Sequence, residues 1–148
     1  METLRLTDAT ATQWNILTQI RRLRSIDLSN SSVTGELLKV VGQIPSLMSL
    51  KLDRTKVTTS GLQHLVGSKK LRFLSLKNTS ITNRDLQAIG QISNLETLMR
   101  DSNAITDTDL EHLLGLKELK DVTLRDTQIN VHDKNLQALS KMCHVEGP

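Results

Sequence analysis

Leu23, Leu47, Leu71, Leu95 and Leu119 recur at intervals of 24 residues. A fixed period of that length restricts a chain to architectures that stack one supersecondary unit on the next. Three residues into each copy stands a second apolar residue, Ile26, Leu50, Leu74, Leu98 or Val122. Five residues in stands a third, Leu28, Leu52, Leu76 or Leu124, with Arg100 taking that place in one copy. Apolar residues two apart mark a strand with one buried side. Ten residues in comes Val33, Val57, Ile81, Ile105 or Ile129, preceded two earlier by Ser31, Thr55, Thr79, Asn103 or Thr127, which predicts a tight turn. The apolar spacing then changes to three: Leu38, Val41, Ile44; Leu62, Leu65; Leu86, Ile89, Ile92; Leu110, Leu113, Leu116. That is a helical stripe. A shorter copy opens the chain (Met1, Leu4, Leu6, Trp14, Leu17, Ile20) and the last ends on Leu136, Leu139 and Met142. The pattern therefore predicts one domain over 1–148, six copies beginning at residues 1, 23, 47, 71, 95 and 119, and a short tail at 143–148.

Composition decides what the core is made of and which partners it excludes. Aromatic residues are 1% of the 148, Trp14 and Phe73 with no tyrosine, so the interior must be aliphatic. The formal charge of +3 is too slight, and too evenly mixed along the sequence, to point to a nucleic-acid or membrane partner. Two rings make no stacking platform for single strands. No apolar run approaches the roughly 18 residues of a membrane helix, and the amino terminus lacks the basic-then-apolar layout of a signal peptide. The single Cys143 excludes an intrachain disulfide. A disulfide-stapled secreted scaffold is thereby excluded, and an intracellular, cytoplasmic protein, or a fragment lacking its leader, is expected.

The stretches "TKVTTSGL", "TSITNRDL" and "NAITDTDL" complete the pattern. Together with the leucine columns they resemble leucine-rich repeat proteins, whose unit is L-x-x-L-x-L-x-x-N, in the variety that carries Thr in place of Asn. Such repeats are similar to those of bacterial and protozoan proteins and of F-box substrate receptors. The resemblance implies an α/β fold: a right-handed solenoid of about six coils, with a parallel sheet on the concave face and helices on the convex face. It also implies a scaffold and not one function. The expected role is a non-catalytic module that binds a protein partner through the concave strands. The alternative is a substrate-recognition fragment of a larger assembly, such as an F-box-type ubiquitin ligase receptor.

Elementary packing explains the unit. One strand and one short helix cannot bury their apolar sides alone, so each coil must stack on its neighbours. Thr34, Thr58, Thr82 and Thr106 stand where helix N-caps belong, and Thr82-x-x-Asp85 and Thr106-x-x-Asp109 read as acidic capping boxes. The Ser/Thr/Asn column at 31, 55, 79, 103 and 127 is expected to satisfy backbone groups in the turns. Two residues break the pattern. Arg100 stands where an inward leucine belongs, and charge in an aliphatic core is costly. Either the strand bulges to turn Met99 inward, or Arg100 snorkels to a surface. Ser68 replaces the last apolar residue of its helix, so that coil's back is expected to be looser.

Alternation places the residues between the strand leucines on the concave face. Phe73, the only Phe, falls mid-stack and one strand from Met99. Around them stand Lys51, Arg54, Arg72 and Lys77, then Asp101, Arg125 and, if the strand bulges, Arg100. An apolar anchor ringed by arginines is the composition of a binding hot spot.

Signals for chemistry are poor, and no catalytic residue, metal or cofactor is expected. His64 and His112 occupy equivalent places two coils apart, roughly 10 Å, too far to share a metal. His132 and His144 are isolated, and Cys143 beside His144 lacks a third group to orient a base. "GLQHLVGSKK" has the wrong glycine spacing for a phosphate loop and lies along a helix, not at its start. The Asn30 and Asn78 sequons fall where the repeat requires a polar turn anyway. Neither end carries an obvious polar capping unit, so three explanations are expected to compete: a cut from a longer protein, end-to-end self-association, or the short first coil with Trp14 serving as its own lid.

Overall fold

The computed structural model describes residues 2–5, 17, 19–20, 22–102 and 106–147. Met1, Leu6, Trp14, Asn103 and Ile105 of the repeat pattern lie outside them. In chain order the elements are strand β1 (Glu2–Arg5), β2 (Leu23–Asp27), helix α1 (Gly35–Gly42), β3 (Ser49–Lys51), α2 (Thr59–Gln63), β4 (Phe73–Ser75), α3 (Asn83–Ile89), β5 (Thr97–Met99), a 3-10 helix (Asp107–Gly115), β6 (Asp121–Thr123), α4 (Lys134–Met142) and β7 (His144–Glu146). The strands form one parallel sheet in sequence order, β1 to β7. The helices pack against one another as a second layer.

The 24-residue period is visible in the register itself: Ser25, Ser49, Phe73, Thr97 and Asp121 stand side by side, as do Ile26, Leu50, Leu74, Leu98 and Val122. That second row is completely buried, and the coil-opening leucines from Leu23 to Leu119 are at most 4% exposed. Two expectations change at the ends. Leu4 packs only partly against the core. The segment expected as a tail forms a seventh strand instead, because the open edge of β6 offers ladder partners: His144 N–H donates to the Lys120 carbonyl at 2.7 Å, and Leu124 N–H to Glu146 at 2.8 Å. Its pairing, Val122 with Val145, is one residue short of the period, which hides it from a repeat search.

Each coil turns the same corner. Asn30, Arg54, Asn78, Ser102 and Asp126 have φ of 62°, 55°, 52°, 57° and 54°. This left-handed residue aims its N–H at the next coil: Asn30 donates to Asp53, Arg54 to Lys77, Asn78 to Asp101 and Ser102 to Arg125, at 2.8–3.0 Å. Asn and Asp adopt that conformation most easily, whereas a residue such as Arg54 meets its Cβ clash, a cost of roughly 1–2 kcal/mol. The turn column behaves as expected among the described residues. The hydroxyls of Ser31, Thr55, Thr79 and Thr127 donate to the carbonyls of Leu28, Leu52, Leu76 and Leu124 at 2.5–2.8 Å.

The helical layer is capped and closely stacked. Thr34 and Thr58 accept from Leu37 and Gly61 N–H. At Thr82 the Asp85 carboxylate accepts both the backbone N–H, at 2.6 Å, and the hydroxyl. Thr106 makes no cap bond of its own; Asn83 from the preceding coil donates to its hydroxyl and accepts its N–H. Ser68, expected to loosen its coil, is buried and donates to the Gly42 carbonyl at 3.3 Å, with a depression of about 450 Å³ beside it. Gly42 and Gly90, two coils apart, let neighbouring backbone come close: a Cβ there would meet the carbonyl oxygen of His64 at 2.1 Å or of His112 at 2.3 Å.

Gly90→Ala should therefore force adjacent coils apart and lower stability by about 1–3 kcal/mol. Gly67→Ala, whose Cβ would meet nothing within 4 Å, should leave it nearly unchanged. Urea denaturation of both variants checks this, and equal losses would contradict the close-approach argument.

Candidate protein-binding face

The outward side of the sheet presents two rows of side chains. Phe73 stands between Ser49 and Thr97; Met99 stands in the next row, with Lys51, Ser75 and Thr123. Phe73 and Met99 are thus diagonal neighbours on adjacent strands, roughly 7–8 Å apart along the backbone and within reach of large side chains. Both are half-buried. Ser75, with Lys51 and Met99 beside it in its row, is only 1% exposed, and its hydroxyl donates to Asp53 Oδ1 at 2.5 Å.

Polar bonds between coils claim several of the charges the sequence offers. Asp53 Oδ1 also accepts the Lys77 N–H at 3.0 Å. Two coils on, Asp101 repeats the clamp, accepting the Arg125 N–H at 3.1 Å and Lys77 Nζ at 2.7 Å. Burial pulls the Asp101 pKa upward, but Lys77, the Thr123 hydroxyl and the Arg125 N–H outweigh it and hold the carboxyl below its usual range. Arg72 pairs with Glu96, which also takes Lys120 Nζ at 2.6 Å. The Lys120 bond, seconded by Arg72, keeps Glu96 ionised below the ordinary carboxylate range. Arg125 pairs with Glu146. Exposed pairs of this kind add little stability, yet they fix where each side chain points. Asp27 and Asp53 escaped the sequence reading as intercoil clamps or turn acceptors, although an Asp at the end of each of those strands was visible. The Ser29 N–H donates to Asp27 at 3.0 Å.

The structure sorts the nine expected contact residues. Phe73, Met99 and Lys51 share the open face, and Arg54 stands at the left-handed turn beyond β3; Lys51 and Arg54 are exposed and make no ion pair among the described residues. Arg72, Lys77, Asp101 and Arg125 border that face but already hold one another or Glu96 and Glu146. Arg100 is not on the face. The β5–β6 register runs unbroken from Thr97↔Asp121 to Met99↔Thr123, so there is no bulge, and the side chain is wholly buried instead of snorkelling. The reason is the ladder: Arg100 N–H is aimed at Thr123, and the Ser102 turn behind it keeps the period. Turning the side chain outward would break both. Burial pushes the guanidinium down to about 9.

Other sequence candidates stay separate. His64 and His112 lie on the helical side, and no group of three metal-ligating side chains occurs among the described residues. Burial, with the Asp121 charge, pushes the Cys143 thiol up, so it is a poor nucleophile at neutral pH. Asn30 and Asn78 are exposed at left-handed turns. No helix among the described residues is long and apolar enough to cross a membrane.

No protein-family profile and no curated protein matches the chain. Solved structures do. An internalin C2 from Listeria monocytogenes is similar over 97% of this chain at 21% identity and a TM-score of 0.61. A leucine-rich repeat protein of Leptospira interrogans is similar over 97% at 22% identity and a TM-score of 0.68. The chain spans 66% of the length of the first and 36% of the second. At such identities the likeness establishes the fold. The protein is built as a leucine-rich repeat solenoid, α/β, with its parallel sheet on the concave face.

The buried Arg100 makes a direct expectation. Burial lowers its pKa in the folded chain from the ordinary arginine range to about 9, so the unfolded chain binds the proton more tightly; folding is penalised at neutral pH and gains stability as pH rises from about 9. Arg100→Leu and Arg100→Met should therefore raise the denaturation midpoint at pH 7, with a gap over wild type that narrows above about pH 9. A midpoint that falls in both variants would contradict it.

Proposed function

We propose that the protein is a non-catalytic interaction module that binds a partner protein through its concave strands. Phe73 and Met99 form the apolar anchor, and Lys51 and Arg54 are the cations that reach partner carboxylates. The observation that carries this reading is the position of Phe73: the only Phe of the chain lies on the open side of the middle strand, half-buried and diagonal to Met99 and to Lys51, which makes no ion pair among the described residues. An aliphatic repeat has no packing use for a ring there, since the inward row is filled by Leu50, Leu74 and Leu98. The Arg72–Glu96–Lys120 and Lys77–Asp101 pairs would serve as a preset rim, ordered before the partner arrives. Such preorganisation lowers the entropy lost on binding.

With a partner isolated by crosslinking to the intact chain, calorimetry tests the assignment. Phe73→Ala should cost at least about 2 kcal/mol of binding, whereas Lys51→Ala should cost less and act mainly on the association rate. His64→Ala and Lys39→Glu on the helical side should change nothing. Loss from the helical variants with none from Phe73→Ala would move the site to the helices.

A further inference from the structure

The concave face is not the only surface with a chemical character. Where the chain enters each strand, the residues flanking the coil-opening leucine form a rim along one end of the sheet. In the first half of the stack that rim is basic: Arg22 and Arg24 flank Leu23, and Lys69, Lys70 and Arg72 flank Leu71. Between them the intervening coil presents Pro45, Ser46 and Met48. Five cations thus crowd onto three coils of a chain whose net charge is +3; in the register Glu2 of β1 stands opposite Leu23, and beyond the basic coils Glu96 and Glu118 flank the next two coil-opening leucines. Glu96 occupies Arg72. Arg22, Arg24, Lys69 and Lys70 are exposed and make no ion pair among the described residues.

The geometry between the two basic rows is a groove. A depression of about 410 Å³ is lined by Arg22, Arg24, Ser46, Met48 and Lys70. It adjoins, through Lys70, the depression of about 450 Å³ between residues 42–45 and 67–70. Both volumes fall in the range of ligand clefts, roughly 300–1,000 Å³. The walls are held by intercoil bonds: Ser46 Oγ donates to the Leu23 carbonyl at 2.7 Å, Met48 N–H to Arg24 at 2.8 Å, and Asn94 Nδ2 to Lys69 at 2.9 Å. The cations therefore project from a stiff backbone on either side of a thioether floor.

We infer that this rim is a docking groove for an extended acidic segment of a partner protein. Its carboxylates pair with Arg22 and Arg24 on one side and Lys69 and Lys70 on the other, while an apolar side chain covers Met48. The two rows stand two strand spacings apart, about 10 Å, which is the width of one extended chain with its side chains. Charge complementarity selects the occupant, and shape selects its class. Two rows facing a narrow apolar floor suit a peptide better than a vesicle surface, and no ring lines the groove for a nucleic-acid base to stack on. The site is distinct from the Phe73 face and stands or falls without it.

The test uses the intact chain and a short labelled peptide in which glutamates flank one leucine, read by fluorescence anisotropy. Its glutamine counterpart, a single-stranded oligonucleotide and phosphatidylserine vesicles are the comparison probes. The acidic peptide should bind, weaken as salt rises from about 50 to 300 mM, and lose about tenfold or more in affinity in Arg24→Glu with Lys70→Glu. Met48→Ala should weaken binding with the salt dependence kept, and Phe73→Ala should leave it unchanged. Lys39→Glu on α1, the same kind of reversal at one site away from the groove, should also leave it unchanged. Far-UV circular dichroism confirms that the variants fold. Equal binding of the glutamine peptide, equal loss from Lys39→Glu, or binding of the oligonucleotide or vesicles without the acidic peptide would overturn the assignment.

Discussion

Everything in this molecule depends on a layer of leucine that no coil can bury alone. Leu50, Leu74 and Leu98 stand in register on adjacent strands and are completely buried only because each is covered by the coils before and after it. The 24-residue period is the length of chain needed to return to that layer. Because the register is set by side chains facing inward, a slip of one residue would turn a whole strand inside out. That is the constraint strong enough to hold Arg100 in the core: the local cost of burying a guanidinium is smaller than the cost of dephasing the coil around it.

With the inward side so committed, the polar groups divide into those that bind the coils together and those left free. Asp53 and Asp101 clamp the strand ends of the following coil, the left-handed turn residues carry the ladder one step past each strand, and hydroxyls close each corner. Close backbone approach at Gly42 and Gly90 does the corresponding work among the helices. The free groups then stand out by subtraction. Among the described residues they include Phe73, Met99 and Lys51 on the outward side of the strands, and Arg22, Arg24, Lys69 and Lys70 on the rim either side of Met48.

Much of the fold was legible in the sequence, since its main determinant is a period and periods survive without three-dimensional information. Leu23 to Leu119, the Thr caps and the Ser/Thr turn column could all be placed by counting. What counting could not supply was the outcome of competition. Arg100 was expected to escape the core, and the ladder held it there. His144–Glu146 was expected to trail, and an unpaired edge recruited it one residue out of phase. At the candidate site, the position of Phe73 beside Met99 followed from alternation alone, but the pairing of Lys77 with Asp101 and of Arg72 with Glu96 did not, because charges 24 residues apart meet only after the coils have stacked. The same stacking concentrates cations on one rim that look evenly mixed along the chain.

The shared leucine layer can be measured residue by residue with amide hydrogen exchange on the wild type and on Leu74→Ala. If each layer is held by its neighbours, truncating Leu74 will lower protection in β4 and also in β3 and β5, with Leu50 and Leu98 amides exchanging faster in step with Leu74. A loss confined to β4, with β3 and β5 keeping wild-type protection, would show that the coils are independently stable and would contradict the account.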